Sequence, residues 1–144
     1  MFPDPNIRWR PYPSIIDGIK EPPFVFVQGT WRGKLCLIVL EGPPAIRFYG
    51  VEIDCHIYGA FDEMTYSIVQ HGDRSGNYRG GAYIKEAVTS TLLEALREVH
   101  PMYASARHFL FVGGDYCFET VGPAEPTVRT FPSEEAAYGW KLGS

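Results

Sequence analysis

Two periodicities share this chain. Residues 24–28 and 34–40 are short apolar runs around the turn-like Gly29-Thr30-Trp31-Arg32-Gly33, and they read as a pair of strands. The second run is apolar on both faces, which predicts a central strand, and Glu41-Gly42-Pro43-Pro44 ends it. Residues 45–58 are too long for a simple strand and change parity. Ile46 and Phe48 are apolar at even positions, then Val51, Ile53, Cys55 and Ile57 at odd ones, so a bulge at Tyr49-Gly50 is expected.

Residues 65–70 look like a further strand, and residues 71–81 (HGDRSGNYRGG) lack apolar periodicity and read as an exposed loop. From residue 83 to 99 the pattern switches. Ile84, Ala87, Val88, Thr91, Leu92, Ala95, Leu96 and Val99 recur at three and four, predicting one amphipathic helix stopped by Pro101. Residues 107–112 and 116–121 then alternate again around Gly113-Gly114-Asp115, predicting a hairpin. Phe109, Phe111, Tyr116 and Phe118 share one of its faces; His108, Leu110, Val112, Cys117 and Glu119 share the other. The aromatic face is the expected partner of the helix stripe. Residues 127–131 read as an edge strand, and Ser133 as the N-cap of a short terminal turn through Glu134, Glu135 and Ala136.

These elements predict an α+β fold: a curved antiparallel sheet of about five to seven strands with one main amphipathic helix, about 83–99, packed on it. Residues 1–23 hold six prolines and are expected to be an irregular leader, with residues 24–144 forming a single domain. At 144 residues the chain is long enough to bury a core without metals or disulfides. Nine Phe, nine Tyr, twelve Pro and fifteen Gly favour short strands and turns over a helix bundle. Three cysteines inside apolar runs make no disulfide framework, and the proline-broken start lacks the apolar centre of a secretory signal. A cytoplasmic protein with no membrane segment is expected.

Net charge is −4, which argues against a general affinity for nucleic acid. The distribution matters more. Between Arg47 and Arg74 there is no Lys or Arg, while Glu52, Asp54, Asp62, Glu63 and Asp73 fall in the interval, predicting an acidic face.

Three constellations could carry chemistry. Glu52, Asp54 and His56 alternate along one strand, and such groups on one face suit either a partner surface or a divalent cation. Alternating polar residues are also what any half-exposed strand shows, so neither a metal nor any other cofactor is assigned. The two-residue turn is either Gly113-Gly114 or Gly114-Asp115, and with the first His108 sits directly opposite Glu119 across the hairpin, with Cys117 on the same face. A buried thiol next to a cross-strand pair is the ordinary reading, and a nucleophile its rival. Arg74, Arg79, Gly80 and Gly81, ahead of a helix N-terminus, could hold an anion, yet neither nucleotide fingerprint is present. There is no GxSxG, HExxH or CxxC, and no catalytic residue is assigned.

A non-enzymatic acidic binding module follows as the leading expectation, docking a basic protein surface through Glu52, Asp54, His56, Tyr58, Asp62 and Glu63. An immunity-type protein that neutralises a basic partner is one form of it. The alternatives are a small enzyme, a hydrolase or metal-dependent, using His108 and Glu119 or Glu52, Asp54 and His56, and a curved sheet that binds a small molecule.

Overall fold

The computed structural model describes residues 7–17, 24–31, 34–42, 46–62 and 83–140. The expected strand at 65–70 and the loop at 71–81 lie outside these residues. Nine strands among the described residues form two antiparallel sheets. One has the order β1-β6-β7-β8-β5, built from Arg8–Pro11 (β1), Ile84–Thr89 (β6), Arg107–Phe111 (β7), Tyr116–Gly122 (β8) and Ile57–Asp62 (β5). The other has the order β2-β3-β4-β9, from Phe24–Trp31 (β2), Lys34–Glu41 (β3), Arg47–Asp54 (β4) and Thr127–Phe131 (β9). Two helices complete the fold, Thr91–Val99 (α1) and Glu134–Tyr138 (α2). The class is α+β and the sheets are antiparallel, as the pattern predicts, with more strands than expected and divided between two layers.

The main core lies between the sheets. Leu35, Leu37 and Val39 of β3 and Tyr49, Val51 and Ile53 of β4 meet Ile84, Phe109, Phe111 and Phe118 of the first sheet. The aromatic face of the β7–β8 hairpin therefore packs on the second sheet, and the expectation that it meets the helix is corrected. Helix α1 lies on the opposite face, where Leu93 and the partly buried Leu92 and Leu96 cover Val121, Ala106 and Ile57. Two sheets with complementary apolar faces bury more side-chain area than one short helix can cover, which decides the pairing.

The helix itself is shorter than its stripe suggests. Ile84–Thr89 is a strand, with Ile84 opposite Phe111 and Glu86 opposite Phe109. Its other edge takes β1, so the segment is the inner partner of two strands. Ladder hydrogen bonds on both sides override the weak helical spacing of Ile84, Ala87 and Val88, two of which are β-branched and fit a strand. Ser90 then starts α1, its side chain accepting the Leu93 amide at 3.1 Å.

The chain crosses between sheets at Cys55 and His56. β3 and β4 keep one register from Lys34↔Asp54 to Glu41↔Arg47, so the bulge expected at Tyr49-Gly50 is absent. The parity change has another cause, because both faces of β4 are covered. Tyr49, Val51 and Ile53 face the main core, while Phe48 joins Cys36, Ile38, Phe131, Ala137 and Trp140 under α2. Gly50 opens the space for this: a Cβ there would stand 2.7 Å from Phe131 and 2.8 Å from Trp140.

A second polar group closes one end of the first sheet. Glu86 accepts from Arg107 Nε at 2.6 Å, from Arg107 Nη2 at 2.9 Å and from Arg10 Nη2 at 2.7 Å. Arg107 also pairs with Glu125 in the β8–β9 connection, and its guanidinium lies over the Phe109 ring at 5.1 Å. Hydrogen bonds from Arg107 hold the Glu86 carboxyl below its ordinary range.

Candidate functional site

The outer face of the first sheet carries a buried polar cluster. Lys85 is 1% exposed, Ser90 4%, His108 1% and Glu119 0%. Strand pairing places three of them together: Lys85 and Glu119 flank Leu110 from either side, and His108 lies two positions along β7, opposite Val121. His108 is thus diagonal to Glu119 and not directly opposite it, because the pairing of Phe111 with Phe118 centres the hairpin on Gly114-Asp115 and not on Gly113-Gly114. The contact still forms. His108 Nε2 meets Glu119 Oε1 at 2.6 Å, and His108 Nδ1 meets Ser90 Oγ at 2.8 Å.

The roles of the two ring nitrogens depend on the tautomer, and one set of donors and acceptors satisfies the whole hydrogen-bonded chain. With Glu119 as a carboxylate, Nε2 carries a hydrogen and donates. A neutral imidazole then leaves Nδ1 to accept the Ser90 hydroxyl proton, and the Ser90 oxygen keeps a lone pair for the Leu93 amide. Every group is satisfied. A serine, an imidazole and a carboxylate joined in this order are also the parts of an acyl-transfer site. Trp9 stands edge-on to the imidazole, with ring centroids 5.2 Å apart, and its buried indole N–H meets no acceptor.

Sequence reasoning found His108 and Glu119 but missed Ser90. Its legible signal was a serine directly ahead of Leu92, Leu93 and Leu96, the arrangement of an N-cap. Burial pushes Cys36 and Cys55 each up to about 11, and the Cys117 thiol donates to the Gly113 carbonyl at 3.9 Å.

The carboxylate row is rearranged. β4 ends at Asp54, so Glu52, Asp54 and His56 do not lie along one strand, and His56 sits in the crossover with its ring 5.5 Å from that of Tyr103. Lys34 Nζ is 3.1 Å from Glu52 and 3.9 Å from Asp54, and the Glu52 contact raises the lysine pKa. No group of three metal-ligating side chains occurs among the described residues.

What remains outward is a band along β5. Asp54, His56, Tyr58, Ala60 and Asp62 are exposed at successive even positions, while Cys55, Ile57, Gly59 and Phe61 between them are covered. Tyr58 is opposite Thr120 and Ala60 opposite Phe118, both buried, so the second sheet covers β8 and stops short of β5. Tyr116, opposite Asp62, extends the band. Glu63, Arg74, Arg79, Gly80 and Gly81 lie outside the described residues. Among those residues no helix is long and apolar enough to cross a membrane. Compared with protein-family models, curated proteins and solved structures, the chain matches none.

Proposed function

We propose that this chain is a non-enzymatic binding domain that docks a partner with a basic surface on the overhanging strand β5. The observation that carries the reading is the exposed band of Asp54, His56, Tyr58 and Asp62 with Tyr116 beside it, where two half-exposed tyrosines stand among carboxylates. Tyrosine offers large contact area at low entropic cost, and the carboxylates steer a cationic partner. Lys34 balances Glu52 at 3.1 Å and offsets part of the Asp54 charge at 3.9 Å, so both contribute less than the sequence suggests. An immunity-type role, with a basic toxin as the partner, is one form of this function.

The test compares immobilised wild-type protein with an Asp54→Lys/Tyr58→Ala variant against lysate from the native source. The expected result is a polypeptide retained by the wild type, released by salt and lost by the variant. Equal retention by both proteins, or none by either, removes the reading.

A second reading draws on the Ser90–His108–Glu119 chain, which would serve ester hydrolysis. Ser90 Oγ would bond to the carbonyl carbon as its proton moves to His108 Nδ1, and that proton would leave with the alcohol before water releases the acyl group. The near-complete burial of Ser90 supports the first reading instead. A fluorophosphonate probe separates them: labelling of Ser90 that disappears in His108→Ala favours hydrolysis, and an unlabelled wild type ends it.

A further inference from the structure

Far from both β5 and the Ser90 cluster, the start of β4 and the end of β9 form an open groove of about 460 Å³. Its walls are Ile15, Ile46, Phe48, Tyr49, Phe131 and Pro132, with Arg47, Thr130 and Ser133 as its polar members. We propose that this groove binds a small amphipathic carboxylate, an anionic group on a short aliphatic or aromatic body.

Three observations converge on that chemistry. The volume falls in the range of small-ligand sites, and polar and apolar surface share the lining about equally, which suits an amphipathic ligand. Exposed large apolar side chains also line it: Ile15 is 59% exposed and Ile46 62%. Scattered single residues of this kind are ordinary on a surface, but their concentration around a concavity is not.

The third observation is Arg47, whose side chain is 65% exposed beside the groove. Its Nε faces Glu41 at 3.9 Å, and the neighbouring Tyr49 hydroxyl raises the guanidinium pKa further. Tyr49 and Glu41 engage part of the guanidinium, and its exposed remainder is a planar donor group of the kind that pairs with a carboxylate. Glu41 also repels a second negative charge, so a monoanion suits the site better than a dianion. The Ser133 oxygen accepts the Ala136 amide at 3.1 Å, which leaves its hydroxyl hydrogen as a further donor at the groove.

The experiment is a titration followed by amide chemical shifts, with 4-phenylbutyrate as the probe and 4-phenylbutan-1-ol as its neutral counterpart. The expected result is saturable shifts at residues 46–49 and 130–133 with the acid in the millimolar range, and affinity about tenfold weaker for the alcohol. Arg47→Gln should bring acid and alcohol to equal, weak affinity, and Ile46→Asp should abolish both. Both positions are exposed, so the variants keep the fold, which an unchanged amide spectrum away from the groove confirms. Absence of saturation, equal affinity of acid and alcohol for the wild type, or shifts centred on β5 each overturn the proposal. The outcome is independent of whether β5 docks a protein.

Discussion

Replacing Glu86 by glutamine tests the electrostatic clasp that ties β1, β6 and β7 together. Its carboxylate takes three charge-assisted hydrogen bonds, two from Arg107 and one from Arg10, while its side chain is only 8% exposed. Each such bond is worth about 1.5–3 kcal/mol where water is excluded. The Arg10 bond must be discounted towards the value of about 0–1 kcal/mol for exposed pairs, because that arginine side chain is 59% exposed. The Arg107 bonds are discounted less, since its side chain is 29% exposed. Glutamine keeps one acceptor and removes the charge, so a loss of about 2–3 kcal/mol at neutral pH is expected.

The pH dependence has a definite sign. Glu86 has a folded pKa below its unfolded value, so its contribution is present above the ordinary carboxylate range near ~4.3 and is lost as pH falls through the lower folded value. Urea denaturation of wild type and Glu86→Gln at neutral pH should differ by about 1–2 M in midpoint. The difference should shrink below the ordinary carboxylate range, where the wild-type carboxyl takes up its proton. A neutral-pH loss under ~0.5 kcal/mol, the noise of a surface substitution, or a gap that persists unchanged in acid would refute the reasoning.

Three further outcomes follow from the same geometry. Ser90→Ala removes the α1 cap and the second partner of His108, so thermal denaturation should show a loss of about 1–2 kcal/mol, and amide exchange at residues 91–94 should accelerate first. In Gly122→Ala a Cβ would meet Cys55 Cα at 2.5 Å and the Asp54 carbonyl at 2.6 Å. Both are backbone atoms, so the crossover must shift and the loss should exceed that of Gly50→Ala, where only the side chains of Phe131 and Trp140 must give; paired denaturation curves decide this. Cys36 and Cys55, each pushed up to about 11 by burial, should react with a thiol reagent at mildly alkaline pH far more slowly in the folded protein than in denaturant. Equal rates would contradict their burial.

The parts of the site that were legible are those that local alternation can report. His108 and Glu119 share a face because side chains alternate along each strand and either turn, Gly113-Gly114 or Gly114-Asp115, keeps the same facing; the register is that of Gly114-Asp115, and the contact forms along the diagonal. Ser90 was hidden because its contact with His108 spans 18 positions and two element types. The exposure of Asp54, Tyr58 and Asp62 was readable as polar alternation, but the neutralising approach of Lys34 to Glu52 depends on the β3–β4 register.

By itself the sequence determined the β7–β8 hairpin and the faces of its side chains, the doubly buried β3, the edge strand β9, and the Ser133 cap of α2. Each is set by side-chain parity or by a hydrogen bond within four residues, so neighbours along the chain suffice. Tertiary structure alone decided that residues 84–89 are a strand, that Arg8–Pro11 pairs with them, and that the aromatic face meets a second sheet and not α1. Those choices turn on ladder hydrogen bonds and apolar area supplied by residues tens of positions away, and local periodicity carries no record of which distant partner is present.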